Sequence, residues 1–221
     1  MESEVFNGDA TQILTEMEAA SVDLIVTDPP YLVRYQDRNG RRVANDDKAE
    51  AVLPAFAEMF RVLKQNRYCV CFCGWTAIAQ FSAAWSAAGF RTVGQIVWQK
   101  DYASKTGHTE YRHETAYLLT KGRPGFPSDP IADVQAWHYS GNRHHPTEKS
   151  VQNMSTLIKA FSKPCDLVLD PFLGSGTTAV AAVLNRRKAI GVELEEQYCQ
   201  LARRRLAGAE RFVSNQANEA A

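Results

Sequence analysis

Residues 22–31, VDLIVTDPPY, form the stretch to which the other motifs of the chain can be related. The apolar run at its start predicts a buried strand that stops abruptly at a sheet edge. Pro29 and Pro30 each remove a backbone donor and fix a φ angle, so the chain must leave the sheet as a stiff, extended elbow. Asp28 places a carboxylate on one side of this elbow, and Tyr31 places an aromatic ring on the other. The stretch indicates either an ordinary strand and turn or a site for a flat, amino-bearing ligand such as a nucleobase.

A second buried run ends in a glycine turn at residues 167–178, LVLDPFLGSGTT. Gly174 and Gly176 allow the backbone to approach a ligand at the carboxyl end of a parallel strand, where open α/β sheets bind cofactors. No lysine follows these glycines, so the turn is not a phosphate-binding P-loop, and it is shorter than the dinucleotide fingerprint. Glu193 ends the next apolar run and is the kind of acid that holds ribose hydroxyls. Together these features favour a nucleoside cofactor without phosphates, and S-adenosylmethionine is the obvious candidate.

Four segments of the chain, taken in order, resemble the β class of DNA amino-methyltransferases. They are residues 7–9 (NGD), 28–31 (DPPY), 145–149 (HPTEK) and 170–177 (DPFLGSGT). The third resembles the family's HPTxKP segment, with Ser150 in place of the second proline. The resemblance covers nearly the whole chain. It implies transfer of a methyl group from S-adenosylmethionine to the exocyclic N6 of adenine or N4 of cytosine.

The resemblance also implies a fold: one Rossmann-like α/β domain over the whole chain, with a mostly parallel, doubly wound sheet and an antiparallel hairpin. The catalytic half is expected in residues 1–120 and the cofactor half in residues 146–207. A polar flap is predicted at 32–48, and short recognition loops at 100–113 and 121–145. Because these loops are short, either the flap or a second protomer is expected to share DNA recognition, so a homodimer is one option.

Site residues follow from the resemblance, motif by motif. Asp28 and the Pro29 carbonyl are expected to accept hydrogen bonds from the target amino group, while Tyr31 stacks on a base flipped out of the duplex. An exocyclic amine is a poor nucleophile because its lone pair is delocalised into the ring, and two acceptors favour localising that pair. No metal is expected. The catalytic set is Asp28, Pro29, Pro30 and Tyr31; the cofactor set is Asp9, Lys149, Asp170, Phe172, Gly174, Ser175, Gly176, Thr177 and Glu193.

Two of these assignments have plainer alternatives. Asp9 follows a glycine and precedes a helical pattern, so on its own chemistry it predicts a helix cap. The flap carries Arg34, Arg38, Arg41 and Arg42, which are expected to contact DNA phosphates or base edges. The alternative for the flap is a solvated loop whose charges cancel. The formal net charge of the chain is zero, so any attraction to DNA must come from local patches.

The sequence leaves several hypotheses for the target base and for the class of function. An elbow that begins with Asp rather than Ser favours adenine N6 in this family, with cytosine N4 as the nearest rival. An amine of RNA or protein is a further possible target. A non-catalytic nucleic-acid-binding protein is disfavoured by the intact motifs, and an NAD-dependent oxidoreductase by the missing pyrophosphate fingerprint. The short loops suit a stand-alone modification enzyme, either an orphan methylase or the partner of a restriction enzyme.

Bulk composition sets the remaining expectations. A chain of 221 residues with 45% hydrophobic residues can build one full α/β core. No run is long enough to cross a bilayer and no signal peptide is visible, so a cytoplasmic protein associated with the nucleoid is expected. Cys69, Cys71 and Cys73 alternate along an apolar run, which predicts reduced core thiols on one face of a strand rather than a metal site.

Apolar periodicity predicts helices at residues 50–64, 147–162 and 195–206. Pro146 is expected in the first turn of the second of these helices, where a proline is tolerated. Residues 203–205 are three arginines near the end of the third, a position that the helix dipole favours. Residues 122–141 are predicted to be an irregular loop, and residues 213–221 a frayed tail.

Overall fold

The apolar run at residues 22–27 is the central strand of a sheet with helices on both faces. The computed structural model describes residues 2–35, 40, 43–141, 144–145 and 147–219. The strands in these ranges are β1 (Glu4–Asn7), β2 (Val22–Thr27), β3 (Leu63–Phe72), β4 (Arg91–Gln99), β5 (His113–Lys121), β6 (Val134–Ala136), β7 (Leu167–Asp170) and β8 (Lys188–Glu193). The helices are α1 (Ala10–Glu16), α2 (Ala49–Val52), α3 (Ala55–Val62), α4 (Ile78–Ala88), α5 (Val151–Phe161), α6 (Thr177–Leu184) and α7 (Glu196–Glu219).

Within the described residues the strands form one sheet in the order β1-β8-β7-β2-β3-β5-β4-β6. All neighbours are parallel except β5, which runs antiparallel to both β3 and β4. This is the predicted mostly parallel sheet with an antiparallel hairpin, and the fold class is confirmed. The first strand, β1, pairs with β8 at one edge, so it lies on the side of the sheet that carries the glycine turn.

The two motif strands, β2 and β7, are neighbours in the sheet, with Leu24 opposite Val168 and Ile25 opposite Leu169. From β2 the chain continues to β3 on one side, and from β7 it continues to β8 on the other. Their boundary is therefore the topological switch point at which open α/β sheets form a crevice. Both motif turns leave the sheet at this edge, as predicted.

Apolar side chains form two cores, one on each face of the sheet. One core packs the sheet against α5, α6 and α7, and the other packs it against α1, α3 and α4. Residues 22–27 are buried along their whole length, which explains why β2 is apolar without alternation. None of the described helices combines the length and apolar character needed to cross a membrane.

Of the alternating cysteines, Cys69 and Cys71 lie on one face of β3, as predicted, and Cys73 directly follows this strand. Cys69, Cys71 and Cys73 are buried in the core beside α1, α3 and α4, and they carry free thiols. Burial, with a smaller contribution from the Asp28 carboxylate, raises the pKa of Cys73 to about 12. The Cys73 thiol therefore stays protonated and packs as a small apolar group.

Two predicted helices have different boundaries in the structure. The helix predicted at 50–64 is divided into α2 and α3, because Pro54 cannot donate a helical hydrogen bond and stands at the N-cap of α3. The helix predicted at 147–162 begins only at Val151, where the Ser150 hydroxyl accepts a hydrogen bond from the Asn153 amide at 3.1 Å. Residues 148–150 are outside the helix. Pro146 lies outside the described residues.

Two predicted irregular segments are ordered instead. The last helix continues to Glu219, through most of the predicted frayed tail, because Leu206, Ala209 and Val213 extend its apolar stripe at helical spacing. The segment predicted as a loop at 122–141 contains strand β6, which pairs in parallel with β4.

Candidate functional site

An open cleft of about 1280 Å³ lies at the carboxyl edge of the sheet, over the boundary between β2 and β7. The elbow after β2 and the glycine turn after β7 both line it. Of the predicted site residues that the structure describes, those lining the cleft are Asp9, Asp28, Pro29, Pro30, Tyr31, Arg34, Lys149, Asp170, Phe172, Gly174, Ser175, Thr177 and Glu193.

Asp28 stands where β2 ends, and both of its carboxylate oxygens receive a hydrogen bond. The Tyr31 hydroxyl donates to Oδ1 at 2.7 Å, and the Lys149 ammonium donates to Oδ2 at 2.5 Å. The first contact spans three residues and the second spans 121. The two prolines between Asp28 and Tyr31 fix the elbow backbone, so the carboxylate and the ring keep one relative position.

Tyr31 is held by packing as well as by its hydrogen bond. A Cβ added to Gly74 would lie 3.1 Å from the Tyr31 ring, so a glycine at position 74 lets the ring pack against the chain that follows β3. Burial, followed by the Asp28 and Glu114 carboxylates, raises the pKa of Tyr31 well above its ordinary value. The Tyr31 hydroxyl therefore remains protonated and acts as a donor to Asp28.

Lys149, which the sequence predicts to bind the cofactor, contacts the elbow after β2 in the structure, and its role toward a cofactor stays a prediction. Its side chain is 8% exposed, and its ammonium lies 5.0 Å from the centre of the Phe72 ring and 5.7 Å from that of Tyr31. Burial lowers the pKa of Lys149, but the Asp28 and Glu114 carboxylates outweigh it and hold the pKa above its ordinary value. Lys149 is therefore a charged partner of Asp28.

The glycine turn after β7 requires its glycines. Gly174 has φ +55° and Gly176 has φ +92°, a region that side chains disfavour. A Cβ on Gly176 would also lie 2.8 Å from the Ala202 Cβ on α7. The Gly174 amide donates to Glu193 Oε2 at 2.8 Å, and the Glu195 amide donates to Oε1 at the same distance. Glu193 thus joins the end of β8 to the turn.

Two acids at the strand ends, the buried Asp170 and the half-buried Glu193, favour protonation more than free side chains do. Burial raises the pKa of Asp170, the last residue of β7, to about 7, although hydrogen bonds from the Thr178 side chain and the Phe172 amide oppose the shift. Burial likewise raises the pKa of Glu193, against the hydrogen bonds from the Glu195 and Gly174 amides. Both acids lie on the cleft wall beside the glycine turn.

Sequence reasoning missed a buried ion pair beneath the glycine turn. Arg205, on α7, lies 2.9 Å from Glu148 Oε1 and also donates to the backbone and side-chain oxygens of Ser175, each at 2.8 Å. The Thr177 hydroxyl lies 3.5 Å from the same Glu148 oxygen. Helical spacing places Arg205 on the same face of α7 as the buried Ala202 and Ala209, so the sequence could indicate that Arg205 faces the protein, but it could not indicate Glu148 as the partner.

Asp9 has the cap function that its local sequence predicted. Its side chain accepts a hydrogen bond from the Gln12 amide at 3.1 Å at the N-terminus of α1. The preceding Gly8 amide donates to the Glu193 carbonyl at 3.0 Å, which places the turn beside the end of β8. Asp9 is therefore on the cofactor side of the cleft, and its role toward a cofactor stays a prediction.

On the opposite side, the predicted flap and recognition loops frame the cleft. The Arg34 amide donates to the carbonyl of the buried Asp46, and the Tyr35 amide donates to the Asp46 carboxylate. Arg38, Arg41 and Arg42 lie outside the described residues. The buried Lys100 and the half-buried Glu114 form an ion pair on the wall beneath the 100–113 loop, which sequence reasoning did not select. Among the described residues, no group of three His, Cys, Asp or Glu side chains could hold a metal.

Comparison with known proteins connects this geometry to a family. A family model described as DNA methylase matches residues 22–204. YubD of Escherichia coli (strain K12) is 48% identical over 211 residues, which cover 96% of this chain and 93% of that protein. The DNA adenine methyltransferase YhdJ of the same strain is 26% identical, with 96% of this chain and 85% of that protein covered.

Among solved structures, the M1.HpyAVI–SAM complex has a TM-score of 0.73 and 26% identity to this chain, and the alignment covers 92% of this chain and 98% of that one. The resemblance predicted from the four motifs is confirmed. The family match includes the elbow after β2, the glycine turn after β7 and the strands that carry them, and the chain belongs to the DNA methylase family.

Proposed function

We propose that this protein transfers a methyl group from S-adenosylmethionine to the N6 amino group of an adenine that is flipped out of DNA. The observation that carries the proposal is the Asp28 carboxylate, fixed at the switch point of the sheet and sharing one cleft with the glycine turn. The Asp at the start of the elbow and the adenine-specific name of YhdJ support adenine as the target.

The residues beside the glycine turn fit S-adenosylmethionine. When bound, this molecule supplies an activated methyl group on a sulfonium. Gly174 and Gly176 leave the turn open to close approach, and the turn offers no lysine for a pyrophosphate. Each carboxylate oxygen of Glu193 accepts one hydrogen bond from a backbone amide, so further acceptor positions remain for ribose hydroxyls. Asp170 would hold the ammonium group of the methionine end, which favours the ionised form of its carboxyl.

The elbow prepares the amino group of the target base. The cleft cannot accept a base that remains stacked in a duplex, so the nucleotide must leave the helix. The Asp28 carboxylate and the Pro29 carbonyl would accept the two amino hydrogens, which favours a localised lone pair on the nitrogen. The Tyr31 ring, fixed by its hydrogen bond to Asp28, would stack on the base. These residues act by position and charge, and no covalent enzyme intermediate is required.

The test is mass spectrometry of nucleosides released from unmethylated duplex DNA after incubation with the protein and S-adenosylmethionine. N6-methyladenine is the expected product, and Asp28→Ala serves as the matched inactive control. Detection of N4-methylcytosine instead would support the same site chemistry but identify cytosine as the target base. If neither product forms while the cofactor binds in calorimetry, duplex DNA is not the substrate and the proposal fails; the same assay on RNA would then follow.

A further inference from the structure

We propose that Lys149 is a positioning residue for methyl transfer: its ammonium fixes the orientation of the Asp28 carboxylate and balances its charge while the uncharged target base is bound. The inference rests on the proposed function, because it concerns the same carboxylate. It assigns to Lys149 a task at the catalytic elbow rather than at the cofactor.

The first argument is geometric. A carboxylate that carries one hydrogen bond can still rotate about its Cβ–Cγ bond, but one held at each oxygen by a different group cannot. Asp28 is held by Tyr31 within the elbow and by Lys149 from the segment before α5. Each oxygen retains about one further acceptor position. Because the carboxylate plane is fixed by two donors, the remaining positions are aimed before any base arrives.

The second argument concerns charge. The Asp28 side chain is 21% exposed, and a flipped base would remove water from the carboxylate. A carboxylate that loses its water without a partner cation is strongly disfavoured, as it is when one partner of a buried ion pair is removed. The neighbouring acid from β5, Glu114, is already balanced by Lys100. With Lys149 in place, each of these two acids has its own cation, and the uncharged base meets a neutral pair.

The third argument separates Lys149 from the cofactor turn. Its neighbour in sequence, Glu148, contacts Arg205, Ser175 and Thr177, which belong to the glycine turn and α7. Lys149 contacts Asp28 and lies over the Tyr31 and Phe72 rings, which belong to the elbow and β3. The two side chains therefore serve different walls of the cleft. Loss of Lys149 should affect turnover and leave the cofactor in place.

The experiment compares Lys149→Met, which keeps the apolar stem and removes the charge, with Lys159→Met, an exposed lysine on α5. We expect Lys149→Met to lower kcat about 10²-fold, the size of effect that a displaced catalytic group produces. We expect its KM for DNA and its Kd for S-adenosylmethionine in calorimetry to stay within about twofold of the wild-type values, a change worth less than about 0.5 kcal/mol. Lys159→Met should match the wild-type protein in all three.

A second variant tests the ammonium itself. In Lys149→Ala, added methylammonium should restore part of kcat, whereas tetramethylammonium, which cannot donate a hydrogen bond, should not. This comparison also decides the matter if Lys149→Met does not fold, because rescue is measured within one protein. Rescue by neither cation, or by both equally, overturns the inference.

Other outcomes are equally decisive. Unchanged kcat in Lys149→Met overturns the inference but not the proposed function. The same holds if Lys149→Met binds S-adenosylmethionine more weakly but keeps its kcat at saturating cofactor, because Lys149 would then belong to the cofactor site. A wild-type protein that binds S-adenosylmethionine but methylates no DNA base overturns the proposed function, and the inference with it.

Discussion

The two turns that line the cleft follow neighbouring strands, yet they are held in different ways. The elbow after β2 is stiffened by its two prolines, but its carboxylate is positioned by Lys149, 121 residues further along the chain. The turn after β7 is made of glycines and is held by Glu193, 19 residues away, through a backbone amide. The wall at the elbow depends on a side-chain contact that spans much of the chain, and the wall at the glycine turn depends mainly on contacts among the last elements of the fold.

This difference has an experimental consequence: the two walls should be separable by mutation. Damage to the elbow should reduce turnover without loss of cofactor affinity, and damage beneath the glycine turn should reduce stability and cofactor affinity together. The following substitutions test that separation.

The largest effect is expected for Asp28→Ala. It removes the acceptor for the target amino group, so methyl transfer should fall by about 10³-fold, the upper range for loss of a preorganised charge-stabilising group. Calorimetry should find cofactor affinity close to that of the wild-type protein. Asp28→Asn is the matched isosteric variant and should also be impaired, because its amide NH₂ would face Tyr31 or Lys149. Near-normal turnover in Asp28→Ala would contradict the assigned role of the elbow.

Next in size is Arg205→Met, which leaves Glu148 buried without its cation. Breaking a buried pair from one side costs about 3 kcal/mol or more, so the free energy of unfolding should drop by that amount. Denaturant titration measures it, with the exposed neighbour Arg204→Met as the control expected to change little. Adding Glu148→Gln to Arg205→Met should recover part of the loss, since the stranded charge is then removed. A double variant as unstable as the single one would contradict the pairing.

Gly176→Ala should have a smaller effect, on the order of 1–3 kcal/mol, because the new Cβ meets Ala202 and the backbone is left-handed. Affinity for S-adenosylmethionine should fall with stability, since Gly176 shapes the turn. Gly208→Ala, on α7 at a position where a Cβ meets nothing within 4 Å, is the matched control. It should stabilise the protein by about 0.5–1 kcal/mol. Equal effects of the two substitutions on stability and cofactor affinity would contradict a specific requirement for glycine at position 176.

The last prediction concerns pH, where the effect accumulates gradually over several pH units. The pKa of Asp170 is about 7 in the folded protein, against an ordinary value of 3.8, so the folded state binds a proton that the unfolded state has released. The contribution of Asp170 to the free energy of unfolding is therefore fully present below about pH 4. It declines as pH rises toward 7, by at most about 1.4 kcal/mol per pH unit. Asp170→Asn should flatten that decline in denaturant titrations across the range. An unchanged slope would show that another group titrates.

Much of this arrangement could be predicted from the sequence, because the signals were local. The strand before Asp28 and the strand that ends at Asp170 were visible as apolar runs stopping at turn residues, and parallel strands bring their carboxyl ends to one edge. Pro54 is a local signal for the division of the predicted helix, but the apolar period continues across it and led to the prediction of a single helix.

The remaining features could not be predicted from local patterns. The pairs Lys149–Asp28 and Glu148–Arg205 join residues far apart in sequence, and no periodicity records such contacts. The start of α5 is set by the Ser150 cap, and the two charged side chains before it contact opposite walls of the cleft from outside the helix.

Glu148 and Lys149 carry one further consequence. They are adjacent, and each contacts a group of opposite sign on a different wall. If their order were reversed, as in Glu148→Lys/Lys149→Glu, the composition, the net charge and the hydropathy of the chain would be unchanged. Yet a lysine would then face Arg205 and a glutamate would face Asp28, so both walls would meet a like charge. The order of these two residues, and not only their presence, gives each wall of the cleft a partner of opposite charge.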